Sequence, residues 1–92
     1  MQFSLGDQVC STQGRDAGKC FLVVGILDEA YVLISDGKHR RMDNPKKKKI
    51  KHLAFSGKGS LEIAQKLISQ MPVTDSNIRR ALKNLNANNG EE

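Results

Sequence analysis

Hydrophobic and polar positions form short runs through the first half of the chain, and their period changes near residue 60. Gln8 to Thr12 alternates between two faces and predicts a first strand. Phe21-Leu22-Val23-Val24 is a continuous apolar run within Cys20 to Leu27, the pattern of a second strand covered on both sides. Gly25 interrupts that strand, where an internal glycine marks a bulge or a sharp corner. After the polar turn Asp28-Glu29-Ala30, Tyr31 to Ser35 has the β propensity of a third strand. Asp36-Gly37 predicts a tight primed turn that returns the chain into a fourth strand, Lys38 to Met42. Asp43-Asn44-Pro45 ends it, because Pro cannot donate to a ladder. Beyond the tract Lys46 to Lys49, residues Ile50, Leu53 and Phe55 supply a short fifth strand.

Ser56-Gly57-Lys58-Gly59 reads as a flexible joint, after which helical spacing takes over. Ser60 can cap a helix with the apolar stripe Leu61, Ala64, Leu67, Ile68 and Met71, and Pro72 breaks it. Thr74 or Asp75 starts a second helix with Ile78, Ala81, Leu82 and Leu85 on one side, and Asn86 to Glu92 reads as frayed. Neither helix is stable alone, so they are expected to pack on each other or on the strands. The prediction is a mainly β protein with an α appendage. Residues 1–56 form a five-stranded SH3-like barrel, and 57–92 a linker and two short C-terminal helices. An open five-stranded meander is the alternative.

Ninety-two residues leave little room for a deep substrate pocket with its own walls. The formal net charge of +5 is unevenly placed. Nine Lys or Arg residues lie between Lys38 and Lys58 against one acid, Asp43, whereas the first 37 residues hold Arg15 and Lys19 against five acids. Such one-sided charge points to an anionic partner. Cys10 and Cys20 have neither zinc-site nor CxxC spacing. A cross-strand disulfide between them is conceivable, but the expectation is two reduced, core-facing thiols in a cytosolic protein. The N-terminus lacks a signal-peptide plan and no apolar run approaches about 18 residues, so the expected setting is cytoplasmic, with no membrane partner.

Several cations are candidates for binding. Lys46 to Lys49, tethered at both ends by strands, could neutralise successive phosphates and release their counterions. Lys38, Arg40 and Arg41 precede them; on a strand Lys38 and Arg40 share a face and Arg41 points away. Lys51 and His52 continue the patch. Arg15 and Lys19 sit in the glycine-bracketed loop Gly14 to Lys19, where the glycines allow close backbone approach to phosphate but equally serve a tight turn. Arg79, Arg80 and Lys83 give the last helix a basic face, read mainly as an exposed helix surface. Asp16, Asp28, Glu29 and Asp36 are explained by turn chemistry. His39 and His52 read as surface residues, and no cofactor, metal site or catalytic constellation is predicted. With Phe3, Phe21, Tyr31 and Phe55 as the only aromatics, mostly in apolar runs, recognition should fall on phosphates and folded shape more than on base identity.

Val9-Cys10, Gly14-Arg15-Asp16-Ala17-Gly18-Lys19, Tyr31-Val32-Leu33-Ile34 and Ile50-Lys51-His52-Leu53 follow one another at close spacing. In that order they resemble the KOW motif, and the chain from about residue 6 to 55 looks like the family of the fourteenth large-subunit ribosomal protein of archaea and eukaryotes. The extended lysine link and helical tail look more like small stand-alone KOW proteins of bacteria. The resemblance implies an SH3-like KOW barrel that binds ribosomal RNA without enzymatic activity, through the loop of Arg15 and Lys19 and the stretch through Arg40, Arg41 and Lys51. The implied partners are ribosomal RNA and, secondarily, large-subunit proteins; nothing in the sequence predicts an oligomer, so a monomer is the default expectation. The competing reading is an SH3-like protein-interaction module of the transcription or translation machinery.

Overall fold

The computed structural model describes residues 2–90, with side chains through Leu82. Five strands form one antiparallel sheet: β1 (Asp7–Ser11), β2 (Cys20–Ile26), β3 (Tyr31–Ser35), β4 (Lys46–Lys49) and β5 (Leu53–Lys58). A 3-10 turn, Ile50–His52, joins β4 to β5, and helices α1 (Leu61–Ile68) and α2 (Asp75–Gly90) follow. The sheet order is β4-β3-β2-β1-β5. The first four strands form a meander, and the fifth returns to pair with the first, so the simple meander order does not hold. The ladders leave β4 and β5 as the two edges of an open sheet.

The apolar run of β2 explains how the layers assemble. Phe21 and Val23 face a core with Phe3, Val9, Val32, Ile34 and Leu53, while Leu22 faces a second core with Ile63, Ile78, Ala81 and Leu82 from the helices. All three β2 residues are essentially inaccessible, and burying each contributes roughly 1.5–3 kcal/mol. The register slips between Val23 and Gly25 opposite β3, which leaves Val24 as the extra residue of a bulge. Glycine suits that place, since a Cβ on Gly25 would meet Leu33 at 3.0 Å.

Four expectations are corrected. Asp36-Gly37 does not open a hairpin. Its carboxylate Oδ1 accepts from the N–H groups of Lys38, His39 and Arg40, and Ser35 Oγ donates to Arg40 O. These side-chain bonds compete with a ladder, so residues 36–45 form a loop and the four lysines are themselves the fourth strand. The fifth strand starts at Leu53 and absorbs Ser56, Gly57 and Lys58; Gly59 N–H donates to Gly6 O, so the supposed joint is held. Ser60 does cap α1, accepting from Ile63 N–H, but the buried stripe is Ile63 with Ala64 and Leu67 partly covered. Leu61, Ile68 and Met71 are 73%, 68% and 55% exposed. The helix packs closely on the chain before β1, where a Cβ on Gly6 would lie 2.7 Å from that of Ala64. Finally, Cys10 and Cys20 are directly opposed across β1 and β2 with Cα atoms 4.0 Å apart, and they form a disulfide rather than free thiols. Their strand positions alternate away from Val9 and Phe21, so they lie half-buried off the main core.

Helix α2 is tied to the 36–45 loop. Thr74 and Asn77 exchange side-chain-to-backbone bonds at its start, a reciprocal cap. Asp75 accepts from Met42 N–H at 2.7 Å and from Arg41 Nε at 3.1 Å, and Arg79 donates to Gly37 O at 2.6 Å. Gly37 has φ +71°, and a Cβ there would meet Asp75 O at 2.4 Å. Ile78, Ala81 and Leu82 are buried as the spacing predicts. The helix continues to Gly90, past the point where fraying was expected. The side chains of Lys83 and Leu85, and Glu91 and Glu92 altogether, lie outside the described residues.

Candidate nucleic-acid interface

The glycine-bracketed loop and the lysine strand meet at one end of the sheet. Gly14 and Gly18 take φ +86° and +88°, values that L side chains rarely adopt. Gly18 N–H donates to Ser11 O and Lys19 N–H to Asp16 O, which closes the loop on the end of β1. The disulfide closes its other side by joining the two strands that emit it.

The β4 pleat divides the four lysines. Lys48 pairs with Val32 and Lys46 with Ile34, whereas Lys49 pairs with Tyr31 and Lys47 with Leu33. Lys46 and Lys48 therefore reach one way, toward the loop, and Lys47 and Lys49 the other. Lys46 Nζ lies 2.5 Å from Asp16 Oδ2, with the two side chains 26% and 12% exposed. Lys48 Nζ donates to Gln13 O at 3.1 Å. The bond from Lys46 holds the Asp16 carboxyl below its ordinary value against the cost of burial, and the charges of Lys46, Arg40 and Lys48 add to this. Two of the four lysines thus organise the loop. Lys47, 4.4 Å from the Tyr31 ring centroid, and Lys49 remain exposed.

The 3-10 turn completes the surface. Thr12 N–H and Thr12 Oγ both donate to His52 O, at 2.9 and 3.0 Å, so the loop's entry is fastened to this turn. Partial burial, then the charges of Lys51, Lys48 and Lys49, hold the His52 imidazole below its ordinary value. Arg15, Lys19, Lys49 and Lys51 are exposed, and Arg40 and His52 are half-buried. Apart from Arg40 on the 36–45 loop, they stand on three elements that these contacts join, the glycine loop, the lysine strand and the 3-10 turn.

Arg41 departs from that group, since its guanidinium is engaged by Asp75 beside α2. Lys38 is exposed on the 36–45 loop, so the face-sharing expected for Lys38 and Arg40 on a strand does not apply. Arg79 is drawn onto Gly37 O while Arg80 is exposed. Asp28 and Asp36 do serve turns, accepting backbone N–H bonds. Asp16 does more, through a partner thirty residues away that no local pattern reveals. Of the aromatics, Phe3 and Phe21 are buried, Tyr31 is half-buried and Phe55 is exposed.

The lysines also have a purely structural use. β4 is an edge strand, and charged side chains on an edge discourage pairing with another chain. Among the described residues no group of three His, Cys, Asp or Glu side chains is placed to hold a metal ion, and no helix is long and apolar enough to cross a membrane. No protein-family model matches the chain, and no curated protein matches it significantly. What the fold defines is an open, five-stranded antiparallel sheet with two C-terminal helices and a lysine edge strand fastened to the glycine loop.

Proposed function

We propose that this chain is a non-enzymatic RNA-binding protein of the KOW type, its sheet curled as an SH3-like barrel, docking on structured ribosomal RNA of the large subunit. One observation carries the reading. The Lys46–Asp16, Lys48–Gln13 and Thr12–His52 contacts fasten the glycine loop, the lysine strand and the 3-10 turn to one another, so Arg15, Lys19, Lys49, Lys51 and His52, scattered over 38 positions, stand on three joined elements. Phosphate contacts from such a surface supply affinity and orientation, and the shape of the folded RNA supplies selectivity. A cytoplasmic location goes with that partner. The disulfide runs against it, because cytosolic reductants keep most thiols reduced.

The test is binding to purified large subunits over a potassium series, with unrelated folded RNA as competitor. Retention above physiological salt that resists competitor is the expected result. Replacing Arg15, Lys19, Lys49 and Lys51 together by Ala should flatten the salt dependence by a slope of about 0.7–0.9 for each phosphate left without its cation. An unchanged slope would refute the assignment. A protein-interaction module is the second reading, favoured by the exposed Leu61, Ile68 and Met71; capture of a partner protein that survives nuclease would bring it forward.

A further inference from the structure

At the β2–β3 turn, the start of β3, the end of β4 and the 3-10 turn enclose an open cavity of about 670 Å³. Tyr31, Ile50 and Leu53 give it apolar wall, and Lys49, Lys51 and Glu29 also line it. Its sides are set by backbone bonds. Ile50 N–H donates to Ala30 O at 2.8 Å, and Asp28 Oδ1 accepts from the N–H groups of Ala30 and Tyr31. The Tyr31 ring can be approached from solvent, because the ammonium of the exposed Lys47 already lies over it. The volume falls in the range of small-molecule sites.

An unpaired nucleotide matches this chemistry: a planar base with apolar faces, a polar edge and attached anions. We propose that the cavity takes one unpaired base of the bound RNA, stacked against Tyr31, with its flanking phosphates on Lys49 and Lys51. The inference rests on the RNA-binding reading above and adds a base-reading subsite to it. Glu29 repels phosphate and can accept a hydrogen bond from an exocyclic amino group, which favours an adenine-like base over uracil. Stacking on an aromatic ring tolerates any base, so the carboxylate supplies the preference.

The test uses two RNA hairpins of equal length carrying 2-aminopurine, one with it bulged and one with it paired. The full-length protein is titrated into each, with fluorescence excited beyond the protein's own absorption. The bulged hairpin should bind at least about tenfold more tightly, with a change in 2-aminopurine emission as the base leaves water for the ring. Tyr31→Phe should preserve both effects. Tyr31→Leu should abolish the emission change and weaken bulged binding about 5- to 150-fold, the range for one base–aromatic stack, while paired binding stays as in wild type. Equal wild-type affinity for the two hairpins, or a silent 2-aminopurine, overturns the subsite while paired binding upholds the RNA reading. Failure to bind either hairpin overturns both. The wild-type fluorescence decides the matter even if Tyr31→Leu does not fold.

Discussion

Lys46 and Lys49 stand three residues apart on the same strand and have the same chemistry, yet the fold gives them different roles. Lys46→Ala removes the partner of Asp16, whose side chain is 12% exposed. Breaking an exposed pair costs about 0.2–1 kcal/mol, and breaking a buried one about 3–5 kcal/mol. A pair at 26% and 12% exposure lies between these, so the expected cost is about 1–2 kcal/mol. For a domain of this size that lowers Tm by about 5–15 °C. Lys49→Ala removes an exposed cation with no such contact and should change stability by less than about 0.5 kcal/mol. RNA binding reverses the order. Lys49→Ala should reduce the slope of log affinity against log salt by about 0.7–0.9, whereas Lys46, already neutralised by Asp16, should leave it nearly unchanged. Thermal denaturation and a filter-binding salt series on both variants check this. Equal melting temperatures together with equal reductions in slope would show that the Asp16 contact does not divide the lysines.

Three further outcomes follow from the same geometry. Reducing the Cys10–Cys20 disulfide, which spans ten positions, should cost about 2.7 kcal/mol by loop-closure entropy, read as a lower urea midpoint in dithiothreitol; a Cys10→Ser/Cys20→Ser variant that is insensitive to reductant is the control. RNA phosphates should relieve the repulsion that Lys51, Lys48 and Lys49 exert on His52. The complex then holds more protons than the free protein, so affinity should rise as pH falls from about 7.5 to about 6, and His52→Gln should remove that rise. The Asp75 carboxyl is held below its ordinary value of 3.8, first by Met42 N–H and then by Arg41. Its contribution is full above that unfolded value and is lost as pH falls through the folded one. Asp75→Asn should therefore be less stable than wild type at neutral pH and lose less stability on acidification, seen in acid titration by circular dichroism.

Much of the fold was legible in local pattern. The bounds of β3, the two-sided burial of β2, the bulge at Gly25, the Ser60 cap and the buried face of α2 follow from periodicity and from what single residue types do to a backbone. Those signals are short in range, and they held where neighbours in sequence supply the physics. They failed at Asp36, where one carboxylate satisfied three N–H groups and displaced the expected hairpin. In α1 the spacing put Leu61 and Ile68 on the covered face, whereas the fold buries Ile63 against Leu22, Ile78, Ala81 and Leu82, partners that no local pattern reveals.

The candidate site divides in the same way. Its residue types and positive charge stand in the sequence, as does the glycine loop, because charge and conformational freedom belong to single residues. Which cations are free does not. The β4 pleat turns Lys46 and Lys48 toward the loop and Lys47 and Lys49 away, Asp75 engages Arg41, and strand pairing sets Cys10 against Cys20. Each of these depends on a partner between 10 and 35 positions distant. Only the packed chain brings such partners within bonding distance, so only the tertiary structure could decide them.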